Sequence, residues 1–354
     1  MIKYDLIYAL IALIICLFLV PLVGKLAIKI GAVDKPNARK VHTTLMPRMG
    51  GLAIYLSFVA VIVFTQPMTR ELIGLILGAT LLIAVGIWDD CKDIPAKVKL
   101  VGQIAAACIP VAFGIRVEFM SNPLDGLPLH LAFFSVPVTV IWIVGIINAV
   151  NLIDGLDGLA AGTSIIAAIT MAIVGYSSGQ YTMMALALIL AGAALGFLRY
   201  NFHPAKIFMG DTGSMFLGYV LSVLAVMGVA KSVTFISLVT PILVLGIPIF
   251  DTLFAIVRRT IKHQPLFKPD KEHLHHCLLN MGFSHRNTVL VIYGINIVLA
   301  ASGLLISYVT TTQAMILLVI ISTAVLIGAR KLGIIGLKTP AVNNKNIPDD
   351  TNKK

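Results

Sequence analysis

The stretch Leu6-Ile7-Tyr8-Ala9-Leu10-Ile11-Ala12-Leu13-Ile14-Ile15-Cys16-Leu17-Phe18-Leu19-Val20-Pro21-Leu22-Val23 decides the fold class. It carries no charge, and its length approaches the roughly 20 residues with which a helix crosses a hydrocarbon core. No small-residue cleavage site follows it, so it reads as a span and not as a removable signal. Further apolar runs lie at roughly 49–66, 71–88, 99–116, 131–148, 158–176, 181–198, 212–230, 233–257, 289–308 and 312–330. The 354 residues are 58% hydrophobic and 12% charged, whereas a soluble domain carries about 25% charged residues. Mean hydropathy is +0.96. The expectation is an all-α polytopic membrane protein of about 11 transmembrane helices. A single catalytic domain would cover 1–338, and the polar tail at 339–354 is too poor in apolar residues to order. Cys16, Cys91, Cys108 and Cys277 show no paired spacing and read as reduced thiols.

A net charge of +11 raises the question of nucleic acid. The basic residues are instead scattered over short loops between apolar runs, with no soluble domain to present a basic face. Their distribution speaks to topology. Of the 27 Lys and Arg, only Lys3, Arg70, Arg116 and Lys231 fall in one set of loops; the other 23 share the opposite set. By the positive-inside rule the rich set is cytoplasmic, with the N-terminus outside and the C-terminus inside. Asp34, Asp89, Asp90, Asp93, Asp154, Asp157, Asp211, Asp270 and Glu272 fall on that inner side, as do all histidines except His130. Chemistry is therefore expected at the cytoplasmic face of the cell membrane.

Four constellations could carry it. Asp89-Asp90-Cys91-Lys92-Asp93 closes the third run. If the helix continues, Asp89 and Asp93 share a face, and with Lys97 and Lys99 nearby the acids could hold a hard divalent cation beside a phosphate. A solvated interfacial cap accounts for the same acids equally well. In Asn148-Ala149-Val150-Asn151-Leu152-Ile153-Asp154-Gly155-Leu156-Asp157-Gly158, two amides precede two carboxylates three residues apart. Charges at a membrane edge are costly unless paired or employed. Gly210-Asp211-Thr212-Gly213-Ser214 precedes an apolar run; Asp, Thr and Ser at a helix start are ordinary caps, while a glycine-flanked helix start also attracts phosphate. Finally Asp270-Lys271-Glu272-His273-Leu274-His275-His276 sets three histidines in four positions, near Arg258 and Arg259. With carboxylates as the other candidate ligands, Mg²⁺ suits the chain better than zinc, Mn²⁺ being the alternative. Asp251, after Pro241 and Pro248 in the ninth run, is an ionisable group where a kinked helix is expected.

In their order and shared side, these motifs resemble the polyprenyl-phosphate N-acetylhexosamine-1-phosphate transferase family. The matching pieces also include Asp34-Lys35-Pro36-Asn37-x-Arg39-Lys40-x-His42 and Pro47-Arg48-Met49-Gly50-Gly51, so the likeness runs from the first loop to about residue 286. The D-D-x-x-D form and the H-x-H-H loop are similar to the branch that uses N-acetylglucosamine (GlcNAc). That branch often reads H-I-H-H-H-L, whereas Cys277 follows His276 here. The stretch from His273 to Arg286 looks most like the enzymes that begin wall teichoic acid linkage units.

The resemblance implies transfer of GlcNAc-1-phosphate from UDP-GlcNAc to undecaprenyl phosphate, with release of UMP. It implies catalytic roles for Asp89, Asp90, Asp93 and Asp211, with Mg²⁺ on Asp211, Asp89 and Asp90. Asp34, Lys97, Asn148, Asn151, Asp154, Asp157, Arg258, His273, His275 and His276 would contact substrates. Membrane lipids are the surroundings, nucleic acid is not a partner, and a homodimer is left open. A covalent two-step route through an aspartate is an alternative to direct attack. Competing readings are transfer of phospho-MurNAc-pentapeptide, an intramembrane prenyltransferase using Asp89 to Asp93, and a secondary transporter, which would be expected to show repeated halves and midplane sites.

Overall fold

The apolar runs fold as helices because a backbone in hydrocarbon must satisfy its N–H and C=O groups internally. A computed structural model of the chain describes residues 2–34, 45–121, 128–230, 235–264 and 272–334. In order it shows α1 (Ile2–Ile30), a two-residue ladder of β1 (Val33–Asp34) and β2 (Met46–Pro47), α2 (Gly50–Thr65), α3 (Arg70–Lys92) and α4 (Ala96–Ala112). A short antiparallel pair follows, β3 (Phe119–Ser121) with β4 (Pro128–His130). Then come α5 (Ser135–Ile153), α6 (Leu159–Ser177), α7 (Tyr181–Asn201), α8 (Gly210–Ala230), α9 (Phe235–Val244), α10 (Gly246–Ile261), α11 (Leu274–Asn280), α12 (His285–Ile306) and α13 (Thr311–Lys331). The protein is an all-α polytopic membrane protein. The tail at 339–354 lies outside the described residues.

Among the described residues, eight helical spans are long and apolar enough to cross a membrane, formed by α1, α3, α5, α6, α7, α8, α12 and α13. The three remaining expected runs gave shorter pieces: α2 has 16 residues, α4 has 17, and the ninth run divides into α9 and α10. The division has a local cause. Pro248 has no N–H to give the carbonyl of Val244, so the helix stops there and restarts after Leu245.

At the centre stands α8, packed against α3, α5, α2 and α6; its span is 89% buried, against 22% for α1 and 11% for α13. Lipid tails are as apolar as Leu, so these helices gain cohesion from close packing and not from escape from water. α6 packs closely on α7, and Ala160, Ala161, Ala167 and Ala168 of the one and Ala187, Ala193 and Ala194 of the other are buried. Polar side chains also tie the bundle together: Tyr219 donates to the Leu75 carbonyl at 3.1 Å, and Trp142 to that of Ser222 at 3.2 Å. Outward faces carry exposed Phe18, Phe64, Ile141 and Val319, which would be an aggregation hazard in water and suit lipid. A smaller apolar cluster unites α9 to α13. The described cysteines are free thiols.

Candidate active site

The end of α3 meets the start of α8, and the first two acids of D-D-x-x-D are buried between them. Asp90 reaches across: its Oδ1 accepts from the Asp211 N–H at 2.9 Å, and its Oδ2 from the Thr212 N–H at 3.1 Å and hydroxyl at 2.6 Å. A helix start leaves its first N–H groups without intrahelical partners, and here a carboxylate from another helix supplies them. The approach needs Gly210, whose φ is 70°; a Cβ there would lie 2.4 Å from Asp90 Oδ2. This revises the reading of Asp211, Thr212 and Ser214 as caps of their own helix. Because α8 already begins at Gly210, they sit in its first turn. Ser214 instead accepts from Asn151 Nδ2 at 2.9 Å, tying α5 to α8.

Asp89 accepts from the Ile94 N–H at 3.0 Å through Oδ1, and its Oδ2 lies 2.8 Å from Lys99 Nζ. The same ammonium is 2.6 Å from Asp211 Oδ2. Asp89, Asp90 and Asp211 each offer an oxygen within 4.8 Å of the others. An all-carboxylate set of this kind fits a hard divalent cation better than it fits zinc.

Two sequence expectations change here. Asp93 does not share a face with Asp89, because α3 ends: Asp93 adopts a left-handed φ of 46° and its N–H closes on the Asp89 carbonyl at 2.8 Å. Its exposed side chain pairs with Arg48 at 3.5 Å, and Arg48 also holds Asp34 at 3.0 Å. Asp34 and Asp93 thus form a surface brace beside the cluster. Lys97 is exposed, and Lys99 is the lysine in the cluster. Positions two apart on a helix point nearly opposite ways, while Lys99 shares its face with Gln103. Gln103 is buried and receives Asn148 Nδ2 at 2.7 Å, linking α4 to α5.

The turn from α5 to α6 separates its two acids. The Asp154 N–H donates to the Asn151 carbonyl at 3.2 Å, while its carboxylate has no hydrogen-bond or ion-pair partner among the described residues. Burial pushes its carboxyl up to about 8, and the charges of Asp211, Asp90 and Asp157 add to that rise. Asp157 is buried, and its Oδ2 meets His203 Nδ1 at 3.0 Å and the Ala205 N–H at 3.1 Å. Its own N–H donates to His285 Nε2 at 3.0 Å, and the two imidazoles stack at 4.3 Å. These three residues are near enough for a metal, and their mutual contacts brace the turn against the start of α12. Sequence reasoning missed His203 and His285 in this role. No motif marks them, because the contact depends on helix ends 128 residues apart.

The histidines lie at the start of α11, against α10. His273 Nδ1 is 2.8 Å from Asp251 Oδ2, and Asp251 Oδ1 accepts the Leu274 N–H at 2.8 Å. Arg258, expected at substrate phosphates, is buried and pairs with Glu272 at 2.9 Å while donating to the Ile334 carbonyl. His275 is buried over the α5–α6 turn: a Cβ on Gly155 would lie 2.6 Å from its Nε2. Burial pushes the His275 imidazole down to about 4, with His276 adding to the effect, so it is neutral at pH 7. The His275 and His276 rings lie 4.2 Å apart. Asp270, Lys271 and the Lys35 to His42 stretch lie outside the described residues.

Residues 72–229 match the family described as glycosyl transferase family 4. The chain is 46% identical over 329 residues to a probable undecaprenyl-phosphate N-acetylglucosaminyl 1-phosphate transferase of Bacillus subtilis, covering 93% of this chain and 92% of that one. It is 36% identical to a decaprenyl-phosphate N-acetylglucosaminephosphotransferase of Mycobacterium tuberculosis over 80% of this chain and 77% of the relative. An undecaprenyl-phosphate alpha-N-acetylglucosaminyl 1-phosphate transferase of Yersinia pestis is 29% identical over 76% and 75% of the two chains.

Proposed function

Because the chain belongs to the polyprenyl-phosphate N-acetylglucosamine-1-phosphate transferases of glycosyl transferase family 4, we propose that it transfers GlcNAc-1-phosphate from UDP-GlcNAc to undecaprenyl phosphate. UMP leaves, and the product begins a cell-envelope glycopolymer, with wall teichoic acid as the favoured destination. The observation that carries the reading is the meeting of Asp89, Asp90 and Asp211, from segments more than 100 residues apart, with Lys99 bridging Asp89 and Asp211.

A phosphate monoester is already largely anionic near neutral pH, so the lipid phosphate needs no strong base. Its oxygen attacks the β-phosphorus of the donor, the P–O bond to UMP breaks, and UMP takes the electron pair. The barrier is repulsion between two anions, and positioning and charge neutralisation are what the protein supplies. Mg²⁺ held by Asp211 and Asp89 would offset charge on the pyrophosphate oxygens. Lys99 supplies a fixed positive charge at the same place, Asp90 holds Asp211 and the α8 N–H groups in line, and Asp154 with Asn148 and Asn151 borders the nucleotide. His273, His275 and His276 would contact the sugar phosphate. The segregation of acids and of Lys and Arg to one set of loops supports a cytoplasmic active site and an outer N-terminus.

The test is donor competition. Purified protein with undecaprenyl phosphate and Mg²⁺ is offered UDP-GlcNAc and UDP-MurNAc-pentapeptide together, and products are followed by mass spectrometry. A GlcNAc-diphospholipid is expected. A MurNAc-peptide lipid would move the chain to the other branch, and no lipid product from either donor would remove the assignment.

A further inference from the structure

Asp251 and Arg258, seven residues apart, lie on one face of α10, and Lys262, four further on, caps the end of the same stripe. The rest of that helix is largely apolar, so the stripe stands out. Each member of it contacts the same three-residue segment. Lys262 Nζ lies 2.9 Å from both oxygens of Glu272, Arg258 Nε lies 2.9 Å from Glu272, and Asp251 holds His273 and the Leu274 N–H. Asp251 and His273 are both buried, their side chains 3% and 6% exposed. A carboxylate buried at a membrane edge is costly unless it is fully employed, and both Asp251 oxygens are. A carboxylate only accepts, so Nδ1 of His273 carries the hydrogen and Nε2 alone is left for a ligand. The break after Val244 lets this stripe face the segment, since it frees α10 from the direction of α9.

We propose that α10 is a platform that pins Glu272-His273-Leu274, and that Asp251 is the residue positioning His273 for the transferred sugar phosphate. The second half of this inference rests on the reading of the histidines given above; the first half does not. Asp251 touches no reacting atom in this scheme. It fixes which ring nitrogen of His273 is presented, and where.

Two readouts separate the halves. In a variant whose remaining cysteine is Cys277, the thiol sits on α11 and its alkylation rate by a maleimide reports docking of that helix. Asp251→Ala is expected to speed alkylation by about fivefold or more, because local opening exposes the thiol, while His273→Ala leaves it unchanged. Unchanged alkylation in Asp251→Ala overturns the platform. Turnover is then measured for Asp251→Asn, His273→Ala and the double variant, with thermal midpoints confirming folded protein. Each single change is expected to lower kcat by about ten- to a hundredfold, with KM for either substrate within about threefold. The double variant should be no slower than the slower single one, since Asp251 acts through His273. Multiplicative losses overturn positioning through His273. Normal kcat in His273→Ala with faster alkylation in Asp251→Ala would overturn the role of the histidine and leave the platform standing.

Discussion

Lys99 stands between two carboxylates brought from distant segments: its Nζ lies 2.8 Å from Asp89 and 2.6 Å from Asp211, which is 112 residues further along the chain. A single ammonium thus reconciles the end of α3 with the start of α8. It also puts a fixed positive charge where two phosphorylated substrates have to approach each other.

Replacement of Lys99 should be costly and replacement of Lys97 should not. Lys99→Ala removes the charge between Asp89 and Asp211 and is expected to lower kcat by about 100-fold, the scale of losing one preorganised electrostatic contact. Lys97→Ala, exposed on the other side of α4, should stay within about threefold. Steady-state turnover of both variants in detergent checks the pair.

Asp90 acts first on stability. Asp90→Ala leaves the N–H groups of Asp211 and Thr212 and the Thr212 hydroxyl without their acceptor. Stranded buried donors cost about 1–3 kcal/mol each. A fall in thermal midpoint of several degrees is expected, measured by intrinsic fluorescence in detergent. Asp90→Asn keeps one accepting oxygen and should fall less.

Much of this was legible in the sequence, and the exceptions share a cause. Apolar length located the eight spanning helices but not the break between α9 and α10, and the order of the motifs named the family. The pairing of Asp89 with Asp211 was legible as a shared side and a shared chemistry. Which lysine joined them was not, because that depends on where α4 starts and so on which face Lys99 presents. Asp93 left the cluster because the helix ended one residue before it. Arg258 had two sequence readings, phosphate clamp and helix-end cation, and the structure gives it a third, a buried brace to Glu272. His203 and His285 carried no signal, since their stacking exists only once α7 and α12 are packed.

The Asp154 carboxyl gives a pH signature. Its ordinary value is 3.8, and burial together with its acidic neighbours lifts it to about 8 in the folded chain. Across that window the folded state binds the extra proton. Stability from this group is therefore full below pH 3.8, declines as pH rises, and is lost above about 8. Asp154→Asn cannot ionise and removes the slope. In EDTA-containing buffer the wild-type midpoint should fall relative to the variant between about pH 4 and 8, then run parallel to it.

Gly155 keeps room for His275. A methyl group there would lie 2.6 Å from Nε2 and 2.9 Å from Cε1 of that ring, both far inside van der Waals contact. Gly155→Ala is expected to displace the imidazole and lower kcat by about tenfold, a displacement near the reacting groups being expensive in rate. The thermal midpoint should change by no more than a few degrees, so a folded but slow enzyme is the expected outcome of the paired assays.

The most direct measurement follows the phosphorus. UDP-GlcNAc carrying ³²P in its β-phosphate is incubated with purified protein and undecaprenyl phosphate, with Mg²⁺ or with EDTA, and the label is partitioned between lipid and water. The account expects label in the lipid phase and an equal amount of unlabelled UMP in Mg²⁺, with neither in EDTA nor in the Asp211→Asn variant. Label leaving as UDP would mean that the sugar moves without its phosphate, and undiminished transfer by Asp211→Asn would mean that the meeting of acids around Lys99 is not where the reaction occurs.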